Sequence, residues 1–315
     1  MKVDVHCHLF HQDFSQDREE VIIRARENSF VSIINNGLDA VSNQEVLELA
    51  KTYDICEAAV GIYPDTAAQL DRFQRKELLA EIQEQIGSAV AIGEVGLDYK
   101  YGHLVLGEHS SDIAEAKQRQ RETFRELLCL GKTVKKPVII HTRNAESDVL
   151  DILEEEQAYK PILHTFMGSK NEWRRAIKAG YMMSISPLVV KTEQVQMIVK
   201  DTPLNQLLTE TDSPYLSHDA ERNEPPNIIY SLRKIAEIKD VDPEEIEEGL
   251  AIVEKQLNGR TVRTGEQELF KAKAREDGSV KLIDIVRAKL DARNDCYIAE
   301  IPSLTLTHVQ VPDTL

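Results

Sequence analysis

Residues 137–155 read PVIIHTRNAESDVLDILEE. The run Pro137 to Thr142 is short, apolar and rich in β-branched residues, the signature of a strand buried on both faces. From Ala145 to Glu155 the apolar positions return at three- and four-residue spacing, which predicts an amphipathic helix. One β-α unit is therefore written in this stretch, and His141 stands at the end of its strand.

Working outward, the same alternation recurs along the chain. Val3 to His8, Phe30 to Asn36, Ala58 to Tyr63, Ala89 to Leu97, Pro161 to Phe166, Tyr181 to Ser186 and Gln206 to Thr211 are the other strand-like runs. Between and after them lie helical patterns at Asp17 to Asn28, Glu45 to Tyr53, Arg75 to Ile86, Ala116 to Val134, Glu172 to Ala179, Glu193 to Lys200, Pro226 to Lys239 and Pro243 to Leu257. With the opening unit the strands number eight, the count that closes a (β/α)8 barrel, whereas an open parallel sheet more often has about five to seven. The expected fold is α/β: a TIM barrel over residues 1–258 with a C-terminal extension, residues 259–315. In the extension we read helix-like stretches at Glu266 to Arg275 and Val280 to Ala292, then β-like runs at Cys296 to Ile301 and Leu304 to Val311. The long segment Lys100 to Glu115, after strand 4, is a candidate flap over the active site.

Composition narrows the class. No stretch approaches the roughly 18 to 20 apolar residues a membrane helix needs, and the first ten residues, MKVDVHCHLF, lack a signal-like apolar core. The expectation is a cytoplasmic protein with no membrane partner. Four scattered cysteines without a CxxC pair fit free thiols in a reducing compartment. A net charge of -16 argues against binding nucleic acid through a broad basic surface. Residues 260–315 contain nine Lys or Arg and nine Asp or Glu, so that excess resides in the barrel portion.

The chemistry is read from where ionisable residues fall. His6 and His8 are two apart on a strand and so share one face, with Cys7 directed into the wall. Glu94 sits in the apolar run AIGEVGLD, where an isolated carboxylate is costly unless paired or metal-bound. His141 and His164 close strands 5 and 6, and Asp212 follows strand 8 in LLTETDSPY. All six stand at strand C-terminal ends, where barrels place their active sites. Histidine and carboxylate ligands without thiolate suit Zn, Mn or Mg. Six ligands with one carboxylate placed to bridge suggest two divalent ions: His6, His8 and Asp212 around one, His141 and His164 around the other, Glu94 between. Such a pair activates a water and polarises a phosphoryl or carbonyl oxygen, with Asp212 shuttling the proton. Arg143 is a candidate clamp for a phosphate or carboxylate. Glu210 shares a face with Asp212 and is expected to orient a ligand. Arg222 reads as a loop-fixing residue, His11, His103, His109 and His218 as surface histidines, and Phe166 and Trp173 as core or base-stacking aromatics.

The segments VDVHCHL, GEVGLDY, QRETF, KPVIIHTRNA, HTFMGS, ISP, ETDSPYL and RNEPPN run in order through about residue 258. Together they resemble the TatD family of metal-dependent hydrolases in the amidohydrolase superfamily. The resemblance implies a DNase-type nuclease, with nucleic acid as substrate. The alternative is a non-nuclease hydrolase acting on another ester, a lactone, an amide or aminoacyl-tRNA. A barrel scaffold with a C-terminal interaction element is a third reading. The chain departs from the family in several places, among them Gly61-Ile62-Tyr63-Pro64, which stands where the family usually has G-x-H-P, and Leu250-Ala251-Ile252-Val253, which lacks the customary Thr-x-Asn. Tyr63 thus replaces a histidine expected near substrate, and a phenol donates a hydrogen bond without becoming a cation near neutral pH.

Overall fold

The computed structural model describes residues 2–100, 110–219, 221–243 and 246, and the strands at 266–274, 280–291, 296–301 and 304–310. Two compact units divide the chain at Asn258 and Gly259.

In the first unit eight parallel strands pair in sequence order. They are β1 (Lys2–Cys7), β2 (Phe30–Asn36), β3 (Cys56–Val60), β4 (Ala91–Asp98), β5 (Val138–Arg143), β6 (Pro161–His164), β7 (Met182–Ile185) and β8 (Leu207–Thr209). The helices between them are α1 (Arg18–Glu27), α2 (Ala40–Thr52), α3 (Pro64–Gln69), α4 (Arg72–Gln85), α5 (Ser110–Val134), α6 (Glu146–Glu155), α7 (Lys170–Lys178) and α8 (Glu193–Asp201), with α9 (Ile228–Lys239) following β8. This is the expected (β/α)8 barrel. The short α3 was not foreseen. Its Pro64 fills a first-turn position where the missing N–H costs nothing. Residues 110–115 of the expected flap begin α5, while 101–109, with His103 and His109, lie outside the described residues. The helix expected at Pro243 to Leu257 also lies almost wholly outside them.

Two apolar layers hold the barrel. Val3, Val5, Ile34, Ala59, Ala91, Ile139, Ile162, Met182 and Leu208 fill its interior. A larger cluster, including Ile22, Ile33, Ile82, Leu127, Leu150 and Ile198, packs the outer face of the sheet against the helices. Each Val, Leu, Ile or Met among them, fully buried, contributes about 1.5–3 kcal/mol. Strand β1 changes phase along its length. A register shift between Asp4 and Cys7 lets Val3 and Val5 face the interior while Cys7 joins the outer layer. A one-residue shift of this kind exchanges the faces of every later residue. It sends His6 and His8 into the mouth.

The ring closes between β1 and the end of β8. Asp212 N donates to His6 O at 2.8 Å, His8 N donates to Ser213 O at 2.8 Å, and Cys7 and Ser213 form a parallel bridge. The buried Asp4 carboxylate stitches the same seam, accepting from Thr211 N at 2.9 Å and Thr211 Oγ1 at 2.5 Å. Cys7 and Cys56 are buried free thiols as expected, whereas Cys129 is exposed on α5.

The second unit is a four-stranded antiparallel sheet in the order β12-β11-β10-β9: β9 (Glu266–Ala274), β10 (Val280–Asp291), β11 (Cys296–Ile301) and β12 (Leu304–Gln310). The two β-like runs are strands, but the two stretches expected as helices are strands as well. For the second stretch the cause is an irregularity in β10 between Leu282 and Asp284. The extra residue breaks the two-residue alternation, so the apolar positions of 280–290 imitate helical spacing. The register sets Asp284 opposite Lys271, Arg287 opposite Glu268, Lys289 opposite Glu266 and Lys281 opposite Lys273.

Candidate metal centre

The barrel mouth gathers the six expected ligands. His6 comes from β1 and His8 from the residue after it, Glu94 from β4, His141 from β5, His164 from β6, and Asp212 from the turn after β8. Asp212 lies in the left-handed region, with φ +59°, and so turns its carboxylate back over the barrel. Gly96 serves β4 in a comparable way. At φ +141° it lets β5 approach so closely that a Cβ there would lie 2.0 Å from His141 O.

Glu94 is the centre of the arrangement. Its Oε2 lies 3.4 Å from His6 Nε2 and 3.6 Å from His8 Nε2, and its Oε1 lies 2.8 Å from His141 Nδ1 and 3.3 Å from His164 Nε2. Asp212 Oδ1 is 3.3 Å from both His6 Nε2 and His8 Nε2. The His6 and His164 rings stack at 3.9 Å.

The far side of a ring determines what its near side offers. His8 Nδ1 faces the Asn36 carbonyl at 2.9 Å, His141 Nε2 faces Asp98 Oδ2 at 3.1 Å, and His164 Nδ1 stands 3.4 Å from Glu210 Oε2. The accepting partners of His8 Nδ1 and His141 Nε2 favour the proton on those nitrogens, whereas His164 Nδ1 is near Glu210 without a hydrogen bond. In the neutral His8 and His141 rings the opposite nitrogen is then a lone pair aimed at a carboxylate oxygen. Lone pair facing lone pair is repulsive unless a cation lies between. These residues therefore fit divalent metal ions, and three groups, His6/His8/Glu94, Glu94/His141/His164 and His6/His164/Asp212, bring their ligand atoms close enough to share one.

With protons as the only cations the same logic appears as pKa shifts. Burial and His164 push the His6 imidazole toward neutrality, but Glu94 and Asp212 outweigh them and hold it up at about 9. Against its burial, Glu210 and Glu94 hold His164 well above the usual histidine range. Glu94 and Asp212, despite burial, are kept ionised below the ordinary carboxylate range by the surrounding histidines.

The remaining candidates divide. Glu210 is fully buried; it accepts from Thr165 N at 2.8 Å and from the Thr165 and Ser184 hydroxyls, and so is fixed against His164. Tyr63 OH is 3.5 Å from both Asp98 Oδ2 and His141 Nε2. Its burial, with the charges of Glu94 and Asp98, pushes the phenol well above its usual range. Arg143 turns onto Asp98, with Nε and Nη2 donating to Oδ2 at 2.8 and 2.6 Å. Arg222 lies outside the site, donating to Asp13 O at 2.6 Å and to the Asp17 carboxylate at 2.7 and 2.6 Å. Phe166 and Trp173 are core residues, His218 stacks on Tyr230, and His11 meets Tyr215 at the rim.

Asp98 and Asn36 were missed. The signal for Asp98 was available, because Glu94, Gly96 and Asp98 alternate along one strand and share a face. Asn36 gave none, since it acts through its backbone carbonyl.

Residues 3–256 match the family model of TatD related DNase. The chain belongs to the TatD family. Among TatD relatives, an uncharacterized metal-dependent hydrolase of Bacillus subtilis, YabD, is 36% identical over 255 residues, covering 78% of this chain and 94% of that protein. The human deoxyribonuclease TATDN3 is 31% identical, over 78% of this chain and 89% of its own. The crystal structure of the TatD homologue YJJV of Escherichia coli superposes with a TM-score of 0.71 at 25% identity, covering 81% of this chain and 97% of that one. The chain is thus a TatD-family metal-dependent hydrolase. Residues 232–315 match a second family model, that of the N-terminal region of the BREX system Lon protease-like protein BrxL. No helix among the described residues is long and apolar enough to cross a membrane.

Proposed function

We propose that the protein is a nuclease-type phosphodiesterase, acting on a nucleic-acid strand with two divalent ions (Zn, Mn or Mg) that share Glu94. One observation carries this reading: the two oxygens of Glu94 face different histidine pairs, His6 with His8 and His141 with His164. Divalent ions held there supply water activation at neutral pH and neutralise charge developing on a phosphoryl oxygen. The chain's own residues do the rest. Asp212, ionised and retaining 13% side-chain exposure, is placed to take the proton of the attacking water. Tyr63, a neutral phenol beside His141, donates to a non-bridging phosphate oxygen. Asp98 holds the His141 tautomer, and, against its burial, His141 and Arg143 hold Asp98 ionised.

Relatives named deoxyribonuclease support the substrate class. The test is hydrolysis of single-stranded DNA and RNA by pure protein with added Mn, Mg or Zn. Cleavage that disappears with chelator and with Glu94→Gln is expected. Turnover confined to carboxylic esters, lactones or amides would instead establish the second reading, a non-nuclease hydrolase, which Tyr63 at the usual histidine position favours.

We also infer that residues 259–315 form a separate module that mediates association, rather than part of the hydrolytic barrel. The division of the chain at Asn258 and Gly259, and a match to a second family model that runs past the TatD match to residue 315, support the separate module. Truncation at residue 258 should leave metal-dependent turnover and remove self- or partner association; lost turnover would refute it.

A further inference from the structure

Tyr215 lies three residues beyond Asp212, and its backbone N donates to Asp212 O at 2.8 Å, yet half of its surface, 50%, is exposed. Single exposed aromatics are common and need no function. This one differs in being held. His11 Nδ1 accepts from Asp13 N at 3.3 Å, so its Nε2 carries the proton and donates to the Tyr215 hydroxyl oxygen at 3.2 Å. The Tyr215 ring stands 5.6 Å from the His11 ring and 6.3 Å from that of His8, and Phe10 meets the other side of His8 at 5.6 Å. An aromatic wall therefore runs from a metal-ligand histidine out to solvent, and its outermost face is orientationally fixed and open.

Phe166 and Trp173, the aromatics with base-stacking potential in the sequence, are sealed in the core at 3% and 2% exposure. The burden of stacking passes to the rim. We propose that Tyr215, braced by His11, is the stacking platform for the nucleobase beside the scissile phosphate, and so favours base-bearing single strands. A fixed ring next to a phosphate-handling centre is the arrangement with which proteins hold unpaired bases, and every base offers a face to it. Stacking on a neutral ring also adds affinity without the basic surface this acidic chain lacks. The assignment rests on the phosphodiesterase reading above.

The experiment is fluorescence anisotropy on the full-length protein with Mn, using a labelled oligothymidine octamer with phosphorothioate linkages, and its abasic counterpart. Wild type should bind the base-bearing strand roughly 5- to 150-fold more tightly than the abasic one, the range for stacking one base. Tyr215→Phe should keep most of that preference, and Tyr215→Ala and Tyr215→Leu should abolish it with unchanged thermal stability. Retention of the preference in Tyr215→Ala, or its absence in wild type, overturns the platform. Hydrolysis of ordinary phosphodiester DNA is scored separately. Preference without cleavage by wild type refutes the nuclease reading and keeps the platform; cleavage with no preference does the reverse.

Discussion

At the scale of single residues, the metal centre is governed by the atoms behind the ligands. Asp98 fixes which nitrogen of His141 faces Glu94, and an amide in its place accepts through only one of its two atoms and carries no charge. Asp98→Asn should therefore weaken metal binding or activity about 10–100-fold. Titration calorimetry with Mn or Zn checks this, and wild-type affinity would show that Asp98 only anchors Arg143. Glu94→Gln should cost more than any single histidine substitution, because the two oxygens of Glu94 face different histidine pairs; metal analysis after purification is the readout. The six residues gathered at the mouth were legible as candidate ligands because each ionisable residue ended an apolar run, where burial makes an unpaired charge untenable. Their partners were less so. Arg143 looked available for substrate, and only the fold shows it turned onto Asp98.

At the scale of elements, the strand ends are held by tight backbone approaches that tolerate little change. A Cβ at position 96 would stand 2.0 Å from His141 O, on a backbone of φ +141° that side chains rarely adopt. Gly96→Ala should destabilise the fold by about 2–4 kcal/mol, measured by denaturant unfolding, and should dislodge His141. Arg222 ties the loop after β8 to the residue that starts α1, and its hydrogen bonds hold the Asp17 carboxyl below the ordinary value of 3.8. A depressed carboxylate contributes stability above that value and loses it as pH falls through the depressed one. Arg222→Ala should therefore melt below wild type at pH 7, and the two melting curves should converge in strong acid. The β-α units could be read because both faces of a parallel sheet are covered, which leaves continuous apolar strands between amphipathic helices. The second stretch of the extension misled for the opposite reason: an irregularity in β10 disguised strand alternation as helical spacing, and cross-strand pairing settled it.

At the scale of the whole molecule, divalent ions held by this cluster would stabilise the barrel that holds them. A ligand that binds only the folded state adds about 2.7 kcal/mol when present at a hundredfold excess over its Kd. Chelation should lower Tm, re-addition of Mn or Zn should restore it in a concentration-dependent way, and a Tm indifferent to chelator would argue against ligation by this cluster. What closes the barrel also completes the centre. The Asp4 carboxylate that stitches β1 to β8 reaches a residue 207 positions away, and His6 and Asp212 flank that same seam. During synthesis, then, the first ligands leave the ribosome long before the last one exists. The nascent chain carries histidines but no finished site, and hydrolytic competence arrives only when the final strand of the barrel has been made and docked.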